Sequence, residues 1–161
     1  MGQVVADTTP ISTLAAMGLI DILPSLYGHV VVPDEVAHEL RHPKAPINAR
    51  LLIDAPPPWL TIRPARRTTH VPGIHIGEAA AIQLAIELHA CLIIDDRRGW
   101  LHAESLGVHT QGTVGVLEDA ANNGIITDLA FAHQKLRKTP FRVTDEILNA
   151  SLVRHQKRKI H

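Results

Sequence analysis

The chain has a single cysteine, Cys91, in 161 residues, so no internal disulfide can form and nothing points to an oxidising compartment. No apolar run approaches the ~18 residues needed to span a bilayer. The opening segment MGQVVADTTP lacks the basic stretch and apolar core of a signal peptide. Together these absences make the cytoplasm the expected location. Neither G-x-x-x-x-G-K-[ST] nor G-x-G-x-x-G occurs, so no nucleotide-cradling loop is indicated. Net charge is also missing, with 16 basic residues against 16 acidic ones. The length suits one domain, expected over 1–161, and 45% hydrophobic residues suit an ordinary globular core.

The neutral total hides a pattern. From His133 onward there are eight Lys/Arg residues (135, 137, 138, 142, 154, 157, 158, 159) against Asp145 and Glu146 alone. The remainder is correspondingly acidic. An acidic body with a basic C-terminal segment, 133–161, reads either as a solvated helix face with a frayed tail or as a surface for phosphates.

Short apolar runs, QVVAD, HVVVP, CLIIDD and VHTQGT with the weaker WLTIRP, alternate with helical patterns. The first pattern, TPISTLAAMGLIDILPSLYG, is expected to break near Pro24. PDEVAHELRH, GEAAAIQLAIELHA, RRGWLHAESLG and VGVLEDAANNG follow, and two further helices end the chain. A proline-rich insert, 43–74, carries one helical stretch, INARLLID. Strand–helix alternation with continuous apolar strands predicts a three-layer α/β/α fold around a central parallel sheet.

HELRH (38–42) matches the zinc-protease pattern H-E-x-x-H. Pro43 follows at once and pushes His42 out of helical geometry, and no third ligand stands out. With 11 histidines in the chain, a chance H-x-x-x-H is unsurprising. Glu39 is the residue of that motif that matters.

Ligands of open parallel sheets bind beyond the carboxyl ends of the strands. Asp7 ends the first strand, Asp95 and Asp96 end CLIIDD, Glu39 follows HVVVP, and Glu78 opens the helix leading into CLIIDD. Singly, each could be a helix cap, a dipole partner or a surface residue. Jointly they would repel one another unless a cation neutralised them. Oxygen ligands select Mg²⁺ or Mn²⁺, which suits attack of an activated water on a phosphodiester.

VADTTPI (5–11), GEAAAIQLA (77–85), IIDDRRG (93–99) and ESLGVHTQGTVGVL (104–117) follow one another over nearly the whole length. In order and spacing they resemble the PIN-domain family, in its prokaryotic PIN-like subgroup related to VapC-type toxins. The resemblance implies a Mg²⁺/Mn²⁺-dependent ribonuclease, often a homodimer and the toxin of a toxin–antitoxin pair. By position it assigns Asp7, Glu39, Glu78 and Asp96 as the catalytic, metal-binding acids. Asp95 is the neighbouring candidate, because a one-residue register shift reverses the side chain. Thr8 falls where the family has a hydroxyl, and Thr113 in its GT turn. RNA would meet Arg97 and Arg98, or Lys135, Arg137, Lys138, Arg154, Lys157, Arg158 and Lys159 near the C-terminus. A non-catalytic PIN-like module binding RNA or protein is the alternative. A receiver-like phosphoacceptor is disfavoured because VHTQGT lacks a lysine.

Overall fold

In the computed structural model, which describes residues 2–67 and 70–160, five short strands bury most of their side chains. They are β1 (Gln3–Ala6), β2 (His29–Val32), β3 (Leu60–Ile62), β4 (Cys91–Ile93) and β5 (Thr110–Gln111). Every pairing is parallel, in the order β3-β2-β1-β4-β5. Parallel strands need helical crossovers, and these cover both faces. On one face Val4, Ala6, Val30, Val32 and Ile93 pack against α1 (Thr8–Ala16), α2 (Ile22–Tyr27), α3 (Asp34–Leu40), α4 (Ile47–Asp54) and α7 (Thr113–Asn122). On the other, Val5, Val31, Leu92 and Ile94 meet α5 (Ile76–Leu88) and α6 (Arg97–Ser105). The expected three-layer α/β/α architecture is therefore present. The alternation Ile93, Ile94, Asp95 follows the strand period of two, so consecutive residues leave β4 toward opposite layers.

The first helical pattern breaks earlier than expected. The chain leaves α1 at Met17 and turns through Gly18, whose φ of +72° is costly for any residue with a Cβ. Pro24 then lies in the first turn of α2, where its missing N–H has no intrahelical partner to lose. The insert 43–74 holds α4 and β3; its Thr68 and Thr69 lie outside the described residues.

The C-terminal helices are α8 (Leu129–Arg137) and α9 (Asp145–Ile160). The two expected final helices are present, and of the two readings of the basic segment the frayed tail is the one corrected. Leu148, Ser151 and His155 of α9 are buried, and His155 Nδ1 lies 2.7 Å from Asn122 Oδ1. Arg154 also grips Glu118 of α7 through two nitrogens, at 2.9 and 2.8 Å. Among the described residues no helix is long and apolar enough to cross a membrane.

Candidate active site

The carboxyl edge of the sheet receives acids from both layers. Asp7 is the residue after β1; its N–H donates to Ile93 O at 2.9 Å, and it is only 5% exposed. Glu39 comes from α3 on one side, Glu78 from the first turn of α5 on the other. Asp95 and Asp96 follow β4 and separate. Asp95 turns to α7, where it accepts from Thr113 N at 2.7 Å and from Thr113 Oγ1 at 2.6 Å. Asp96 caps α6 through Gly99 N at 3.0 Å and neighbours Glu78.

Proximity registers electrostatically. Burial pushes the Asp7 carboxyl up to about 7, with Glu39 and Asp95 adding to the rise while the Thr8 N–H opposes it. Loss of water pushes Glu78 up to about 8, reinforced by Asp7, Asp96 and Glu39. Burial also raises Asp95, against the two bonds from Thr113. These neighbours link all five acids of the sequence reading at one edge.

The acids are held in place rather than loosely gathered. Thr8 Oγ1 donates to Glu39 Oε2 at 2.7 Å. Among the described residues no three His, Cys, Asp or Glu side chains are drawn into coordinating geometry as they stand. Yet Glu39 Oε1 and Glu78 Oε2 are buried without a hydrogen-bond partner, an expensive state for a carboxylate oxygen. Two unpartnered oxygens in an all-carboxylate set fit a hard divalent cation.

Sequence reasoning missed three residues here. His75 caps α5 by accepting from Gly77 N at 3.3 Å. The same Nδ1 lies 3.2 Å from Glu39 Oε1; as an acceptor it gives that oxygen no hydrogen bond. Gly77 and Gly99 provide the space for the acids. A Cβ at Gly77 would collide with Glu39 Oε1, and one at Gly99 would stand 2.6 Å from Glu78 Oε2. The legible signal was a glycine beside each acidic motif, in GE and DDRRG. Gly77→Ala should turn Glu39 away from Thr8 and lower Mn²⁺ affinity about ten- to a hundred-fold. Alanine favours the helix, so the melting temperature should hardly fall. Calorimetric titration beside a thermal melt checks both.

The protease motif dissolves. Helix α3 ends at Leu40, so His42 lies outside it, and its Nδ1 accepts from Lys44 N. His38 is exposed. Of the basic residues, Arg97 and Arg98 open α6 beside the acids and are exposed. Arg137 pairs with Asp145 and Arg154 with Glu118, so both are engaged within the chain. Lys135 lies over the Phe131 ring at 5.5 Å. Lys138 follows α8, and Lys157, Arg158 and Lys159 are exposed on the last turn of α9.

Residues 3–157 match the family model DUF3368, described as PIN domain. No curated protein matches the chain. Among solved structures, a PilT N-terminus domain protein, SSO1118, from the archaeon Sulfolobus solfataricus P2 shares the fold, with a TM-score of 0.56 and 21% identity. The match covers 73% of this chain and 92% of that one. With the family model spanning almost the entire chain, the protein belongs to the PIN-domain family, whose members are commonly nucleases.

Proposed function

We propose that the protein is a Mg²⁺- or Mn²⁺-dependent endoribonuclease that hydrolyses RNA phosphodiester bonds. The observation that carries this reading is the convergence of Asp7, Glu39, Glu78, Asp95 and Asp96 beyond one sheet edge, with two buried carboxylate oxygens left without partners. Asp7, Glu39, Glu78 and Asp96 would hold the ion. Asp95, fully engaged by Thr113, would fix the start of α7 beside them. A bound divalent ion supplies Lewis-acid activation of water and neutralises charge building on the phosphate. Thr8 orients Glu39, and Asp96 both caps α6 and raises the proton affinity of Glu78. Asp7 and Glu78 hold their protons up to neutral pH and would give them up in holding a divalent cation.

The same reading includes a second copy of the chain, a cognate antitoxin protein and a toxin role in the cytoplasm. Light scattering tests the homodimer, and growth arrest on expression tests the toxin. The chemistry is tested by incubating single-stranded and structured RNA with the protein and Mg²⁺ or Mn²⁺. Internal cleavage that chelation stops supports a nuclease. RNA binding without cleavage supports a non-catalytic module.

The basic residues bear on affinity. Arg154 is engaged by Glu118, leaving Lys157, Arg158 and Lys159 as the exposed group at the end of α9. Each phosphate contact on a single strand contributes about 0.7 to the slope of log K against log salt. Replacing all three by alanine should therefore flatten the slope by up to about 2. An unchanged slope would move the contacts to Arg97 and Arg98.

A further inference from the structure

One groove adjoins the acids without belonging to them. It lies between α6, the turn into α7 and the stretch from Phe141 to Arg154, with Asp95 at one end and a volume of about 370 Å³. That volume is within the ~300–1,000 Å³ typical of small-molecule sites. The chain contains five aromatic residues, and two of them, Trp100 and Phe141, line this groove. Val143 and Ile147 extend the apolar wall, and the exposed Arg142 stands on its rim.

The indole is held, not merely present. Trp100 Nε1 donates to Glu104 Oε1 at 2.5 Å, and the same oxygen accepts from Thr110 Oγ1 at 3.0 Å. Gly112 lets the ring approach, because a Cβ there would stand 3.2 Å from Trp100 Cζ3 and 3.1 Å from Asp95 Oδ1. A rigid aromatic face, an apolar wall and a cation at the rim, opening beside the acidic edge, match a nucleobase with its phosphate.

Building on the nuclease reading, we propose that this groove is a nucleotide subsite. It receives the base of one RNA nucleotide neighbouring the scissile bond against Trp100 and Phe141, with that nucleotide's phosphate at Arg142. Stacking tolerates any base, so the site would secure affinity and register more than sequence choice.

Tryptophan fluorescence tests this without relying on cleavage. The chain has two tryptophans, so Trp59→Phe leaves Trp100 as the sole reporter. Adenosine, guanosine, cytidine and uridine 5′-monophosphates are titrated into the full-length Trp59→Phe protein. Saturable quenching that Arg142→Glu weakens is expected; Arg142 is exposed, so that variant keeps the fold. No quenching by any of the four, or quenching indifferent to Arg142→Glu, overturns the proposal and leaves the groove to an apolar peptide.

The second arm scans one abasic nucleotide along a cleaved RNA. At one position beside the scissile bond the missing base should raise KM roughly 5- to 150-fold, the range of one lost stack. Trp100→Ala should raise KM similarly on intact RNA and add little on the abasic substrate. Cleavage with fully additive effects overturns the subsite while sparing the nuclease. Quenching without any cleavage supports the subsite and removes the nuclease.

Discussion

Asp7→Asn is expected to reduce metal-dependent RNA cleavage by roughly 10²–10⁴-fold while making the metal-free protein more stable. The first effect follows from losing the charge of a proposed metal ligand at the acidic edge. Charge stabilisation by a bound ion is worth several kcal/mol, and each 1.36 kcal/mol is tenfold in rate. The second follows from burial. An unfolded aspartate loses its proton near pH 3.8 and folded Asp7 near pH 7, so across that window the native state binds more protons. Stability therefore falls as pH rises through the window, and the full cost is present above it. A shift of that size corresponds to on the order of 4 kcal/mol at pH 8. Asparagine removes the charge, keeps the shape and should recover roughly half or more of that energy. For a chain of this size the melting temperature should rise by about 5–15 °C. Melts at pH 4 and pH 8 check the sign, because the gain should nearly vanish at the lower pH. A variant that melts lower than wild type at pH 8 would mean that Asp7 holds the fold together, not a ligand.

Divalent-cation affinity is expected to climb steeply with pH. A cation must displace the protons that burial and repulsion keep on Asp7 up to about pH 7 and on Glu78 up to about pH 8. With two protons released, affinity should improve on the order of several hundred-fold between pH 6 and pH 8, then level off. The linkage also appears as stability. At a hundred times Kd the ion adds about 2.7 kcal/mol, so Mn²⁺ should raise the melting temperature strongly at pH 8 and hardly at pH 6. Proton release counted in buffers of different ionisation enthalpy provides an independent reading. Affinity independent of pH would place the ion away from these two carboxyls. Glu78→Gln should flatten the upper part of the profile and leave the lower part, where Asp7 titrates.

The layers of this fold were legible because apolar strands and helical periods differ in repeat, 2 against 3.6, over five strand-to-helix transitions. The acids were legible because strand ends in a parallel sheet share one edge. Less visible were features that depend on which way a chain turns. Pro24 announced a break, yet a proline in a first turn starts a helix as readily as it ends one, and Gly18 made the turn. The choice between Asp95 and Asp96 rested on one residue of register, and only the packing of Ile93 and Ile94 against opposite layers divides them between Thr113 and Glu78. His75 left no signal, since its approach to Glu39 joins two helices 36 positions apart. The last helix was legible, but a frayed end stayed open as one reading of its basic residues, because charge pattern does not report that Leu148, Ser151 and His155 face inward at helical spacing.

The central claim is that carboxylates, not histidines, hold a hard cation at the sheet edge. The most direct measurement is calorimetric titration of Mn²⁺ and Zn²⁺ at pH 8 into the wild-type protein, Asp7→Asn and His38→Ala. Saturable Mn²⁺ binding to wild type, unchanged in His38→Ala and lost in Asp7→Asn, is the expected result. Zinc binding that survives Asp7→Asn and disappears with His38→Ala, with no Mn²⁺ binding to wild type, would contradict it.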